Sequence, residues 1–298
     1  MSECNPDIKG IFGASANRVS GVPPAYVKPY VKRGKSDASD AEAICEAVSR
    51  PTMRYVAIKS AEQQAALAIH RTRDLFVKQR TQLVNMIRGL LAEFGIEIRR
   101  GLEQALVQAK RMAAGEMTGI PPLAAKMIAG LAGQVLDLQV RVREIERELL
   151  AWHRSSDVAK RLATIPGVGI ICATALAASV TDPHQFRSGR QFAAWLGLTP
   201  LQHSSGGKER LGRISKMGDK YLRRLLVVGM TSLVRRAKYK PDAVDLRLTA
   251  LLLRKPVRVV TVALANKTAR VIWAIMARGG TYRMPAAANT ALIGPAAI

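Results

Sequence analysis

At 298 residues, 48% hydrophobic and 23% charged, the chain is long enough for two folded domains, or for one domain with a large helical insertion. Its 46 Lys and Arg against 22 Asp and Glu leave a net charge of +24 and a pI near 10.7, a field that calls for a polyanionic partner, nucleic acid first and a membrane surface second. The longest apolar run, Ile170 to Val180, is too short to cross a bilayer, and the N-terminus lacks the apolar core of a signal peptide. Cys4, Cys45 and Cys172 are far apart and read as free thiols of a reducing cytoplasm, and the four scattered histidines make no zinc site. A small-molecule enzyme is disfavoured, because neither a nucleotide-binding glycine fingerprint nor a catalytic triad is present.

In chain order, residues 1–21 are polar, turn-rich and without predicted structure, and PPAYVKPYVKRGK is extended by its prolines and strongly basic. A helix is predicted from Ser36 to Val48, stopped by Pro51, then a short strand over Met53 to Ile58. A long helix follows from Ser60 to Phe94, with Leu83, Ile87, Leu90 and Phe94 on one stripe and Gly95 as its stop. A second covers Pro122 to His153, where Ile128, Leu131, Val135, Leu138, Val142, Ile145, Leu149 and Trp152 form a heptad seam. The pair predicts an antiparallel coiled-coil arm or a dimerisation device. Beyond it, LATIPGVGIICATALAASV reads as helix, turn, helix; residues 191–236 carry glycines, hydroxyls and basic side chains; Val257 to Ala277 is helical; and the tail from Gly279 is expected to be mobile.

Three stretches can carry chemistry. In IPGVG, Gly167 and Gly169 either let backbone amides approach a phosphate, as in a helix-hairpin-helix element, or serve a tight helical turn. In LQHSSGGKERLGRISKMGDKYLRR, Ser204 and Ser205 precede Gly206 and Gly207, among Lys208, Arg210, Arg213, Lys216, Lys220, Arg223 and Arg224. That cationic segment suits a phosphate-binding loop, or a serine nucleophile whose alkoxide and target phosphate are stabilised by the cations, with Glu209 and His203 the nearest groups able to take a proton. Asp219 is expected to cap the helix that follows. In KSDASDAEA, Asp37 and Asp40 lie one helical turn apart. They are either half of a Mg²⁺ site or first-turn acids of a helix capped by Ser36 or Ser39, with Glu42 completing a capping box.

Taken together, VPPAYVKPYVKRGKSDASDAEAI, the helical arm, IPGVG, GLTPLQHSSGGKERLGRISKMGDKYLRRLLV and VALANKTARVIWA resemble the transposases of the insertion sequence 110 family, in its 1111 branch, in order from about Val22 to Ala277. The resemblance implies a RuvC-like domain with a Mg²⁺-binding Asp-Glu-Asp-Asp tetrad, a coiled coil, and a C-terminal transposase domain with a serine nucleophile that joins covalently to DNA under a structured guide RNA. On that pattern Asp37 and Asp40 match the last two acids of the tetrad, and Ser205, with Ser204 the alternative, matches the serine of the family's serine-glycine pair. The opening strand and the first two acids have no counterpart here, so the resemblance also implies a truncated or frameshifted copy whose catalysis is defective.

The expected organisation is therefore mainly α. It runs from a foreign or disordered N-terminus (1–21) through a RuvC-like remnant (22–58) and a coiled-coil arm (59–156) to a C-terminal transposase domain with a helix-hairpin-helix-like element (157–278) and a tail (279–298). The expected function is DNA transposition and recombination by strand exchange, in the bacterial cytoplasm at the nucleoid. Its expected partners are element-end and target DNA, guide RNA and further copies of the chain as dimer or tetramer, with no membrane. The rival reading is a non-catalytic nucleic-acid-binding remnant or regulator.

Overall fold

The computed structural model describes residues 20–32, 36–53, 55–208, 210–239 and 246–283, and the expectations for the first nineteen residues and for the tail beyond Arg283 lie outside them. The architecture is mainly helical, as expected. It opens with a two-residue strand β1 (Ser20–Gly21), a short helix α1 (Pro24–Val27), a 3₁₀ turn over Lys28–Tyr30, and α2 (Asp37–Ser49). Strand β2 (Val56–Ala57) returns antiparallel to β1, Ser20 opposite Ala57. The predicted strand over Met53 to Ile58 thus shrinks to two residues, and its partner is the end of the segment expected to lack structure. Ser36 caps α2, its side chain accepting from the Ser39 amide at 3.2 Å. The Ser39–Glu42 capping box does not form: Ser39 Oγ donates to the Ser36 carbonyl, and Glu42 pairs with Lys32.

Helix α3 (Ala61–Ala92) starts from a full capping box of Ser60 and Gln63 and stops where Gly95 takes φ 72° and the Ile96 amide reaches back to the Leu91 carbonyl. Helices α4 (Leu102–Ala113) and α5 (Pro122–Ser155) follow. Arg73 bonds Glu146 and Arg80 bonds Gln139, so seven residues forward on α3 match seven backward on α5 and the two run antiparallel. One half of the predicted seam, Ile128, Val135, Val142 and Leu149, is at most 2% exposed, and the other half, Leu131, Leu138, Ile145 and Trp152, is half-buried. At the far end the arm has three helices rather than two. Ala105, Ala109 and Met112 of α4, which the sequence reading did not anticipate, join Val84, Ile87, Leu91, Ile128, Ala132 and Val135 in one core.

The C-terminal part comprises α6 (Asp157–Ala163), α7 (Ile170–Ser179), a 3₁₀ turn over Pro183–Gln185, α8 (Gly189–Trp195), strands β3 (Pro200–Gln202) and β4 (Leu211–Ile214), α9 (Lys220–Tyr239), α10 (Leu246–Arg254) and α11 (Val257–Arg278). Its core sets Leu176 of α7, Phe192 of α8, Leu222, Leu226 and Met230 of α9, and Ala269 and Ile272 of α11 against one another. By length and composition α5 and α11 could each span a bilayer, contrary to the reading that no segment could. Val260, Ala265, Ala269 and Ile272 of α11 are buried in the core, whereas in α5 burial is confined to the seam and covers 17% of the apolar window. Cys45 and Cys172 are free thiols, Cys45 exposed and Cys172 buried, where burial pushes its thiol up to about 12.

The turn between α6 and α7 is locked onto α9 by glycines. Gly167 has φ 82°, and a Cβ built there would stand 2.5 Å from Cε of Met230; one built at Gly229 would stand 2.0 Å from the Gly167 carbonyl oxygen. Backbone cannot yield as a flexible side chain does, so Gly229→Ala should destabilise the fold by about 1–3 kcal/mol or more, read as a lower urea midpoint. Its neighbour Val228→Ala, at an exposed position, should move the midpoint little.

Arm and C-terminal part also meet through polar side chains. His70 of α3 is 1% exposed, with Nδ1 at 3.1 Å from the Tyr221 hydroxyl. Arg224 pairs with Asp74 and stacks over the Tyr221 ring at 5.3 Å, while Lys78 holds the other Asp74 oxygen at 2.8 Å. Burial raises the Asp74 pKa, but hydrogen bonds from Lys78 and Arg224 outweigh it and hold the carboxyl below its usual range. Burial, and then the charge of Arg73, push His70 from 6.5 down to about 4. Above pH 6.5 the imidazole is neutral in both folded and unfolded chains. As pH falls the unfolded chain takes up the proton first, so stability drops between about 6.5 and 4, by about 3 kcal/mol at most. The urea midpoint should fall across that window and fall less in His70→Gln.

Candidate serine hairpin and nucleic-acid interface

Strands β3 and β4 pair antiparallel, Pro200 opposite Ile214 and Gln202 opposite Leu211. Toward the tip the His203 amide donates to the Arg210 carbonyl at 2.8 Å and the Lys208 amide to the Ser205 carbonyl at 3.1 Å. Between Ser205 and Lys208 the chain turns on Gly206 (φ 57°) and Gly207 (φ 76°). Two consecutive positive φ values make a type I′ turn, the one whose twist matches a two-residue hairpin, and glycine adopts it without steric cost. Nothing lies within 4 Å of a Cβ built on either glycine, so backbone twist rather than crowding demands them. The segment read as a pliable loop is therefore a structured hairpin with an exposed tip.

The two serines differ. Ser204 Oγ accepts a hydrogen bond from the Arg210 amide at 3.2 Å and so helps to close the tip. Ser205 is exposed, and among the described residues its hydroxyl has no hydrogen-bond partner. Lys208, Arg210 and Arg213 of the hairpin, and Lys216 and Lys220 after it, are exposed too. The His203 ring lies over Gly212, where a Cβ would stand 2.8 Å from Nε2. Glu209, the other group considered as a proton acceptor, lies outside the described residues.

The base of the hairpin is fixed. Gly197 (φ 69°) and Gly218 (φ 74°) bring the chain after β4 onto the end of α8, so that a Cβ on Gly218 would stand 1.8 Å from the Trp195 carbonyl oxygen and one on Gly197 2.1 Å from that of Met217. The Ser215 amide donates to the Thr199 carbonyl at 2.8 Å, and that of Lys216 to Gly197 at 3.1 Å. Asp219 caps α9 as expected, its carboxylate accepting from the Tyr221 and Leu222 amides at 2.8 and 2.9 Å. Arg223 donates to the carbonyls of Leu196 and Met217 at 2.9 and 2.8 Å, and Arg224 turns to Asp74. Of the nominated cations these two hold the fold together, while the other five face solvent.

The remaining candidates stand on other elements. Gly169 is exposed and is the N-cap of α7, with no side chain capping the first amides. It borders an open cleft of about 730 Å³ shared with Gly167, Arg73, Lys78 and Arg224. Asp37 and Asp40 are exposed in the first turn of α2, which packs on α1 and the 3₁₀ turn. Among the described residues no three His, Cys, Asp or Glu gather as metal ligands. Two exposed carboxylates on one helical turn would leave most of a Mg²⁺ octahedron to water and phosphate oxygens.

Comparison with known proteins bears on these elements. Residues 159–244 match the profile described as Transposase IS116/IS110/IS902 family, and residues 17–96 match a second transposase profile, the DEDD type of IS110. A probable family 20 transposase of Pseudomonas aeruginosa is 49% identical over 263 residues, covering 88% of this chain and 78% of that protein. The transposase for insertion sequence element IS1111A of Coxiella burnetii is 43% identical, covering 88% and 72% respectively, and that for IS1328 of Yersinia enterocolitica is 40% identical, covering 89% and 79%. With the serine hairpin inside the first matched segment and α2 and α3 inside the second, the chain belongs to the IS110/IS116/IS902 family of insertion-sequence transposases.

Proposed function

We propose that this transposase binds the DNA of its insertion element through the basic C-terminal part and attacks a phosphodiester with Ser205. The observation that carries the reading is the contrast at the hairpin tip, where Ser204 Oγ is engaged by the Arg210 amide while Ser205 stands exposed at the head of a Gly-Gly turn. In the reaction the Ser205 Oγ–P bond forms and the bond from phosphorus to the leaving DNA oxygen breaks. The serine proton goes to solvent or a neighbouring base, and the leaving oxygen takes up one in return. A DNA hydroxyl then displaces Ser205 by the reverse step, completing strand exchange. Lys208, Arg210, Arg213, Lys216 and Lys220 supply positive potential where charge builds on the phosphate.

The same reading takes a structured guide RNA and further copies of the chain as partners, acting on the nucleoid in the cytoplasm. The half-buried stripe of Leu131, Leu138, Ile145 and Trp152 supports assembly through the arm. A Mg²⁺ ion held by Asp37 and Asp40 would take its remaining oxygens from water and the DNA phosphates, and would polarise the phosphate under attack. That exposed, two-membered set favours the second reading, a nucleic-acid-binding protein without strand-transfer activity.

Incubation of the full chain with element-end DNA, guide RNA and Mg²⁺, followed by denaturing electrophoresis, separates the two. The transposase reading expects a covalent protein–DNA adduct that Ser205→Ala abolishes and Ser204→Ala merely diminishes. Salt-sensitive binding with no adduct under any condition supports the second reading. The turn geometry adds a further expectation in the same assay. Gly206→Asn, which tolerates positive φ, should retain the adduct, and Gly206→Val should lose it while the unfolding free energy from urea titration stays within about 0.5 kcal/mol of the parent.

A further inference from the structure

Residues 183–283 hold 21 Lys and Arg against only Glu209, Asp219, Asp242 and Asp245, and so carry 17 of the chain's 24 net positive charges. The serine hairpin accounts for only part of this excess. Helix α11 lies along the segment from Pro183 to Leu198 through three contacts. Asn266 donates to the Leu198 carbonyl at 3.1 Å. Gly189 sits so close to Arg270 that a Cβ built on it would stand 3.0 Å from the Arg270 Cα. Trp273 Nε1 donates to the Pro183 carbonyl at 3.0 Å.

That alignment brings Arg187 and Arg190 beside Lys267 and Arg270, all four exposed. Among the described residues none of them has a carboxylate within ion-pair distance. The carboxylate of Asp182, the nearest acid in sequence, accepts from the His184 amide at 2.8 Å. Four unneutralised cations repel one another and lower the stability of the free protein, so their clustering does nothing for the fold. Arg278, its guanidinium 6.0 Å over the Trp273 ring, extends the row. From Lys267 to Arg278 the helix rises about 16 Å, the length of about five base pairs.

We propose that this face of α8 and α11 is a second nucleic-acid contact, a track for the phosphate backbone of the duplex that flanks the phosphate presented to Ser205. It rests on the reading that the chain binds DNA. Duplex is favoured over single strand because the aromatic side chains adjoining these cations are packed inward, and Trp195, partly exposed at the end of α8, already lies against the Phe186 and Phe192 rings. Phe186 is buried, and Trp273 is half-buried with its indole N–H donated inward. Single-strand binders combine cations with exposed rings, whereas cations alone suit contacts to phosphates.

The test uses the full chain and fluorescence anisotropy over a salt series, with a labelled element-end duplex, the corresponding single strand and a structured RNA as probes. Two variants are compared with the parent. One replaces Arg187, Arg190, Lys267 and Arg270 with Gln together; the other replaces Lys208 and Arg210 with Gln. The four-residue variant should lower the slope of log affinity against log salt by about 3.6 on the duplex, from about 0.9 for each phosphate contact, with its urea midpoint unchanged or raised. An unchanged duplex slope, with the hairpin variant still lowering it, overturns the track and leaves DNA binding at the hairpin intact. A loss confined to the single strand or to RNA likewise overturns it. Absence of parent binding to every probe removes the DNA reading itself, and the track with it.

Discussion

Backbone meets backbone at Gly197 and Gly218, and the presentation of Ser205 depends on that contact. No side chain fits between the end of α8 and the strand leaving the hairpin, so the two segments touch directly. Arg223 then binds the carbonyls of Leu196 and Met217 on either side. Asp219 caps α9 one residue after the contact, which makes the hairpin base an extension of a helix that is itself in the core. Among the described residues the tip, by contrast, is held by its own strand hydrogen bonds, the Arg210 amide to Ser204 Oγ bond and its I′ turn. The proposed role of Ser205, meeting an extended polymer, suits a rigid base and an open tip.

The first two turns of α9 link two mechanical partners. Arg223 reaches toward the hairpin, whereas Tyr221 and Arg224 reach toward His70 and Asp74 on the arm. The arm has its own core in the α3–α4–α5 end, distinct from the core around Phe192 and Leu222, and the polar joint lies between the two. Charge is distributed along the same division. The C-terminal part is overwhelmingly cationic, while the first 182 residues balance 25 Lys and Arg against 18 Asp and Glu.

Much of this was legible in the sequence where side-chain periodicity carries the signal. The heptad seam gave α5, and Gly95 marked the end of α3 because a left-handed residue is needed there. Helix α4 was missed because two of its three buried residues are alanines, Ala105 and Ala109, with Met112 the one large side chain, and because its N-cap, Gly101, offers no capping side chain. The β1–β2 ribbon was missed because two-residue strands have no alternation to detect. The hairpin had a usable signal, two glycines between segments of pairing length, but the density of serine and basic residues made it read as a loop. Composition marked Arg223 and Arg224 as cations without telling whether each faces a phosphate, a carbonyl or a carboxylate, since that depends on α8 and α3 arriving beside α9. The pairing of Arg187 and Arg190 with Lys267 and Arg270 spans some 80 residues and exists only once α11 packs on α8.

Native-state hydrogen exchange resolved by residue addresses most directly whether the serine tip is open upon a fixed base. The amides of Ser215, Lys216, Tyr221 and Leu222 should exchange slowly, near the rate set by global opening, while those of Gly206 and Gly207 exchange at nearly unprotected rates. Equal protection at the glycine turn and at the base, or a base that exchanges as fast as the tip, would contradict the account.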